Sequence, residues 1–187
     1  SPQKTIEFEF LMDELQQFSI SGDTTNRNKQ TFSGSFDNEL FQKYSAFSAV
    51  KGKAMHDLEM QLPSAKTKAD SSAIINESKK LGKEMKAYQD NIAKTYPNSL
   101  LAMLFNVMKR PETPAIPIVK GKPDSLYPYR FVKEHFWDDV NFYDDRNLRT
   151  PFFDKKVDEY FKYYISPEAD SIKPEIGIML NTAKNGG

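Results

Sequence analysis

The sequence predicts a mainly α-helical fold, built of helical hairpins or a bundle and preceded by a short antiparallel β-hairpin. Three observations lead there. Apolar residues recur at steps of three or four through most of the chain after Ser35, which is the signature of a helix with one buried face. Alternation with period two is confined to residues 1–34. The breaks between the periodic stretches are short and hold most of the 11 prolines, as expected of consecutive helices packed as antiparallel neighbours.

The β signal comes first. In the run from Thr5 to Met12, Ile6, Phe8, Phe10 and Met12 share one face, opposite Glu7 and Glu9. Phe18 and Ile20 then alternate with Gln17, Ser19 and Ser21, and a third short strand is expected over Gln30 to Ser33. Two or three strands are marginal in water by themselves. Residues 1–34 therefore read as the remnant of a small β domain whose other strands lie upstream.

Ser35 opens a long helix as N-cap, with Phe36, Leu40, Tyr44, Phe47, Val50, Ala54, Leu58 and Leu62 on one face and Pro63 as the stop. A second helix is expected from near Ser64, with Leu81, Met85, Tyr88 and Ile92 leading to Tyr96, and with Ile74 and Ile75 calling for burial. Leu101, Leu104, Phe105 and Met108 mark a third, completing a helical hairpin over 35–109. Pro111, Pro114, Pro117 and Pro123 make 110–123 an extended linker. A second helical block, 124–187, should hold helices over 126–140, 150–165 and 172–183. Asp124, Thr150 and Asp170 serve as N-caps, each with a proline in the first turn. Asn185-Gly186-Gly187 reads as a C-cap, and residues 35–187 as one helical domain.

Composition removes several functions. Lys and Arg total 26 and so do Asp and Glu, so the basic excess of a nucleic-acid binder is missing. The absence of cysteine excludes a CxxC centre, a thiol nucleophile and a thiolate metal site within this chain. No apolar run approaches the roughly 20 residues of a membrane span. The first residues, Ser1-Pro2-Gln3, carry no initiating Met, which points to a processed or engineered start. No phosphate-cradling glycine motif or nucleophile elbow occurs, and His56, between Met55 and Asp57, has no Ser or Cys near it in sequence.

One segment, Glu134 to Arg146, concentrates His135, Asp138, Asp139, Asp144, Asp145 and the sole Trp. A metal-dependent or acid/base site could be built from such residues, yet neither HExxH nor the calcium-loop order is present. Capping and pairing with Arg146 and Arg149 account for the same carboxylates. The expectation is no catalytic residue, no cofactor and no metal ligand. Aromatic residues crowd the same third of the chain. Phe153, Val157, Tyr160 and Tyr164 stand at helical spacing and read as core. The surplus, Tyr129, Trp137, Phe142, Tyr143 and Tyr163, is the candidate interaction surface, since exposed aromatics anchor interfaces.

Tyr129-Arg130, Lys133, His135-Phe136-Trp137-Asp138, the run from Asp144 to Phe153, Asp158 and Tyr160 together carry a further signal. This pattern resembles the signature of an uncharacterised helical domain in exported, often lipid-anchored, thioredoxin-like proteins of Gram-negative gut bacteria. There the domain sits between a small β domain and a thioredoxin fold similar to thiol-disulfide oxidoreductases. Residues 8–24 look like the last strands of that β domain, and residues 36–47 like the helix after it. The resemblance implies a periplasmic or cell-envelope location. It also implies an adjacent thioredoxin-like domain, or a client protein or peptide, as partner. It supplies no catalytic residue, because the redox CxxC of such proteins lies in the thioredoxin domain. The expected function is thus a non-catalytic binding or positioning domain of an extracytoplasmic oxidoreductase. The alternatives are a free-standing helical scaffold for peptides and, third, a metal-dependent enzyme using His135 with the neighbouring aspartates.

Overall fold

The computed structural model of the protein describes residues 9–12, 17–22 and 30–184. The expected strand residues 5–8 and the terminal cap 185–187 lie outside the described residues. Among the described residues the fold is mainly α, with six α-helices and a two-stranded antiparallel hairpin near the N-terminus. The chain divides into two compact units, Ser1–Ala102 and Met103–Gly187.

In the first unit, β1 (Ser19–Gly22) pairs antiparallel with β2 (Gln30–Ser33), placing Ile20 opposite Phe32. Residues 9–12 do not form the strand that their alternation predicted. Instead the backbone at Leu11 is held by a side chain: Asn38 Oδ1 accepts from Leu11 N and Asn38 Nδ2 donates to Leu11 O, both at 2.7 Å. One amide side chain thus does the work of a ladder partner, and Phe10 stacks toward Phe18 at 6.0 Å.

Asn38 lies in the first turn of α1 (Phe36–Gln61), and Ser35 caps that helix as expected. A 3-10 turn over Leu62–Ser64 carries Pro63, and α2 (Lys68–Thr95) begins four residues later than Ser64 with a capping box between Thr67 and Asp70. The later start follows from the cap: Thr67 satisfies the first free N–H groups of the helix, and Ser64 does not. The two helices meet through Phe47 stacked on Tyr88 at 4.2 Å, a Gln89–Tyr44 hydrogen bond of 2.7 Å and a Lys51–Glu84 ion pair. Ile74 is half-buried, but Ile75 faces solvent, contrary to the expectation that both be buried.

The next helix, α3 (Leu100–Met108), is apolar on every side and almost wholly buried. Its start is capped twice, by Ser99 Oγ accepting from Ala102 N and by Asp37 Oδ1 accepting from Leu100 N at 2.8 Å. Consecutive residues of α1 therefore hold two different segments: Asp37 the start of α3, Asn38 the chain at Leu11.

In the second unit the linker is not simply extended. Ile118–Val119 (β3) and Lys122–Pro123 (β4) form a small hairpin turned by Lys120 and Gly121, both at positive φ. That pair of left-handed residues matches the twist of an antiparallel hairpin. α4 covers Tyr127–Glu134 only, six residues short of Val140; Asp124, expected as the cap of a helix from Leu126, accepts from Leu126 N through Oδ1 at 3.2 Å, ahead of the first turn. Beyond it the chain turns through i→i+3 bonds, Asp138 N to His135 O and Val140 N to Trp137 O. A 3-10 turn (Asp145–Arg149), α5 (Pro151–Tyr163) and α6 (Ala169–Lys184) complete the unit. Thr150 stands at the N-cap position of α5, but its hydroxyl donates back to Asn147 O at 3.1 Å instead of capping. α6 starts before Asp170 and runs across Pro174, which costs it one N–H donor. The core gathers Phe136, Tyr160 and Ile165, with Val132, Trp137 and Tyr164 against them.

Asn38, 0 % exposed, bonds to Leu11 and to Ser35 Oγ at once. Replacing it with Ala leaves those partners without mates, and Asn38→Ala should lower stability by about 2–3 kcal/mol. A fall in the urea midpoint at unchanged slope is the expected result, and an unaltered midpoint would show that Leu11 is held by other means.

Candidate functional site

The segment between α4 and α5 folds on its own polar side chains. Asn141 Oδ1 accepts from Tyr143 N at 3.0 Å, and Asp144 Oδ1 accepts from Arg146 N at 3.2 Å. Asn147 Nδ2 reaches back to Asn141 O at 2.7 Å. Arg146 closes on both oxygens of Asp144 at 2.7 and 2.8 Å, and this guanidinium holds the Asp144 carboxyl below its usual range. Such side-chain-to-backbone bonding competes with helix and holds residues 141–147 in a turn.

The turn so formed makes one wall of a groove of about 410 Å³. Phe142, Tyr143, Leu148 and Phe153 line it on one side, and Met179 and Leu180 of α6 on the other. Phe142 sits edge-on to Phe153 at 6.2 Å and contacts Trp137 at 5.4 Å, so the floor is continuous with the aromatic core. Tyr143 and Leu180 are 52 % and 54 % exposed, which leaves the rim open to a partner. Asn147, 2 % exposed, lines the groove too, and its Oδ1 is buried without a hydrogen-bond donor among the described residues. A buried acceptor left unsatisfied is costly.

The candidate surface residues separate in space. Phe142 and Tyr143 share the groove, with Trp137 behind Phe142. Tyr129 stacks on Tyr164 at 5.6 Å and donates to Tyr164 O, and Tyr163 stands exposed under the ammonium of Lys162; neither lines the groove. Leu148, Met179 and Leu180 were not foreseen from sequence. Met179, Leu180 and Ala183 stand at i, i+1 and i+4 on one helical face, a spacing that could have revealed them.

The residues of the metal or acid/base reading do not converge. His135 Nδ1 meets Asp138 at 2.7 Å, Asp139 pairs with Lys109 at 2.8 Å, and Asp144 and Asp145 pair with Arg146 and Arg149. Among the described residues no group of three or more His, Asp or Glu side chains gathers.

The family model described as Domain of unknown function (DUF5106) matches residues 68–187, more than half of the chain. The chain belongs to the DUF5106 family. Every residue lining the groove falls inside the matched stretch. No curated protein and no solved structure matches the chain.

Behind the groove, the DUF5106 core contains a charge. Lys156, 6 % exposed, donates to Lys109 O at 2.7 Å just past the end of α3, and its ammonium lies 4.6 Å from the Phe136 ring centre and 5.9 Å from that of Trp137. Burial brings its pKa down to about 8. Nearby, the Tyr160 hydroxyl donates to Glu175 at 3.1 Å, and burial together with that carboxylate pushes its pKa up to about 12. Among the described residues Trp137 Nε1 has no hydrogen-bond acceptor.

The two shifts act in successive windows of pH. Between about 8 and 10.5 the unfolded chain holds a proton on Lys156 that the folded chain has released, so stability climbs with pH. Above 10, unfolded Tyr160 loses its proton while folded Tyr160 keeps it, so stability falls again. Denaturation at pH 7.5 and 9.5 should show a gain of about 1–2 kcal/mol that Lys156→Met abolishes. A gain retained in Lys156→Met would mean that another group titrates.

Proposed function

We propose that this DUF5106 chain is a non-catalytic binding and positioning domain of an extracytoplasmic thioredoxin-like thiol-disulfide oxidoreductase, acting at the cell envelope. The observation that carries the binding half of this reading is the open aromatic groove with Asn147 Oδ1 buried in its wall. An extended client segment suits it, because a peptide brings both an apolar side chain for the Phe142–Leu180 cleft and an N–H for the amide oxygen. The redox half rests on the resemblance described above; with no cysteine in this chain, the electron chemistry of this reading would belong to a neighbouring domain. Binding here would raise the effective concentration of a client disulfide at that domain without any chemistry of its own. A cysteine-free positioning domain also cannot compete for the disulfide that it presents.

The test uses the complete coding region. The reading frame should continue into a CxxC-bearing βαβ pattern, and the whole protein should reduce a disulfide-containing peptide. Tyr143→Ser combined with Leu180→Ser should raise KM by roughly tenfold or more and leave kcat unchanged. A frame that ends without CxxC would overturn the redox setting and leave a free-standing scaffold for peptides. An unchanged KM would remove the groove from client binding.

A further inference from the structure

The arm between α3 and α4 does not enter the core of the second unit. Every residue from Glu112 to Pro123 is exposed, and none lines the aromatic groove. Its path is nonetheless fixed. Pro111, Pro114, Pro117 and Pro123 restrict its backbone, Asp124 N donates to Pro117 O at 3.0 Å across the base of the hairpin, and Lys120 and Gly121 close the tip. A two-stranded hairpin is marginal in water when nothing covers it.

The apolar residues of this arm stand in water. Ile116, Ile118 and Val119 are 46 %, 73 % and 52 % exposed. Successive side chains of a strand point to opposite faces, so Ile118 and Val119 make both faces of the tip apolar. A partner surface laid against one face would leave the other in water. Strand addition is opposed as well, because Pro117 and Pro123 have no N–H to offer an incoming strand. A medium that surrounds the tip covers both faces at once.

Charge says which medium. Lys120 and Lys122 are the charged residues of the stretch 113–123, and neither makes an ion pair among the described residues. Of the carboxylates flanking the stretch, Asp124 is bound to Arg130, and Glu112 lies at the α3 end of the arm. Lys120 has a φ of 50°, a left-handed position that Asn, Asp or Gly fills with less strain. No ion pair within the described residues calls for a lysine there, whereas an anionic surface outside the chain would. A second copy would set Lys120 and Lys122 against themselves, since a twofold interface brings the same patch together.

We propose that the β3–β4 tip inserts into the interface of an anionic phospholipid bilayer. Ile118 and Val119, with Ile116 behind them, enter the boundary between headgroups and acyl chains. Lys120 and Lys122 lay their methylene stems along it and place their ammonium groups on lipid phosphates. Three aliphatic side chains and two lysines make a weak, reversible contact. It involves none of the groove residues, so its failure would leave the client-binding reading untouched.

The experiment adds vesicles of mixed phosphatidylglycerol and phosphatidylcholine, or of phosphatidylcholine alone, to the 187-residue chain carrying Ile118→Trp. Tryptophan favours the membrane interface, so this replacement keeps the tip apolar and reports its surroundings. The emission that it adds to that of Trp137 should move to shorter wavelength with the mixed vesicles. Brominated acyl chains should quench it, less so as salt rises, and phosphatidylcholine alone should have little effect. In vesicle sedimentation of the chain with Ile118 intact, Lys120→Gln together with Lys122→Gln should weaken binding by about tenfold or more. Val119→Ser should weaken it too, with the helical circular dichroism unchanged. No shift and no quenching at millimolar lipid would overturn the proposal and leave the tip to a protein partner. Binding that the lysine and Val119 replacements leave unchanged would overturn it by placing the contact on another surface. A shift that appears without vesicles and grows with protein concentration would assign the tip to a second copy, and overturn the proposal equally.

Discussion

Lys156 brings an ammonium into the aromatic core of the second unit, and the geometry around the groove depends on how that charge is accommodated. It has one strong acceptor, the carbonyl of Lys109 at the end of α3, and two aromatic faces, Phe136 and Trp137. A helix end leaves its last carbonyls without amide partners, and a cation there satisfies one of them while opposing the helix dipole. Because Lys156 is on α5 and Phe136 just past α4, the same interaction sets α5 against the end of α3 and the turn after α4. Trp137 then meets Phe142 and Phe153, which form the floor of the groove. Desolvation works against the arrangement, as the lowered pKa shows, and the apolar burial of Phe136, Tyr160 and Ile165 outweighs it.

The first unit uses uncharged and anionic side chains for the same purpose. Asn38 supplies a donor and an acceptor to Leu11, and Asp37 supplies an acceptor to the first N–H of α3. In both units, then, polar groups inside the core sit where a helix begins or ends. Backbone donors and acceptors are unpaired by construction at those places, and a buried side chain there meets a partner that is already waiting. Trp137 Nε1 and Asn147 Oδ1 are the exceptions among the described residues, and the second of them opens the question of a ligand.

The elements that were legible in sequence are those whose burial is periodic. α1, α2 and α3 follow from Leu40, Leu81, Ile92 and Leu101, and the Ser35 cap from its hydroxyl. The misreadings fall where local hydrogen bonding decides. Residues 9–12 alternate like a strand, but their partner is Asn38, a contact spanning 27 positions that no local pattern encodes. Helical spacing continued past Glu134 to Val140, yet Asp138, Asn141 and Asp144 bond to nearby backbone or side chains and turn the chain instead. Thr150 fits a cap by type, but the carbonyl of Asn147 claims its hydroxyl first. The groove was half visible for a related reason. Phe142 and Tyr143 stood out as surplus aromatics, whereas Leu148, Met179 and Leu180 are ordinary apolar residues whose role appears only when α6 is placed beside the turn.

Two open surfaces, one in each unit, differ in a way that bears on what each can hold. The groove of the second unit is built on a turn locked by the Asp144–Arg146 pair and by Asn147, and its rim carries the exposed ring of Tyr143. Such a site selects for polar geometry as well as for apolar bulk. A cavity of about 550 Å³ between α1 and α2 is floored by Met55, Leu58, Ile74 and Met85, and Glu59 and Lys79, of opposite charge, both line it. Methionine-rich floors adapt to the side chains placed on them.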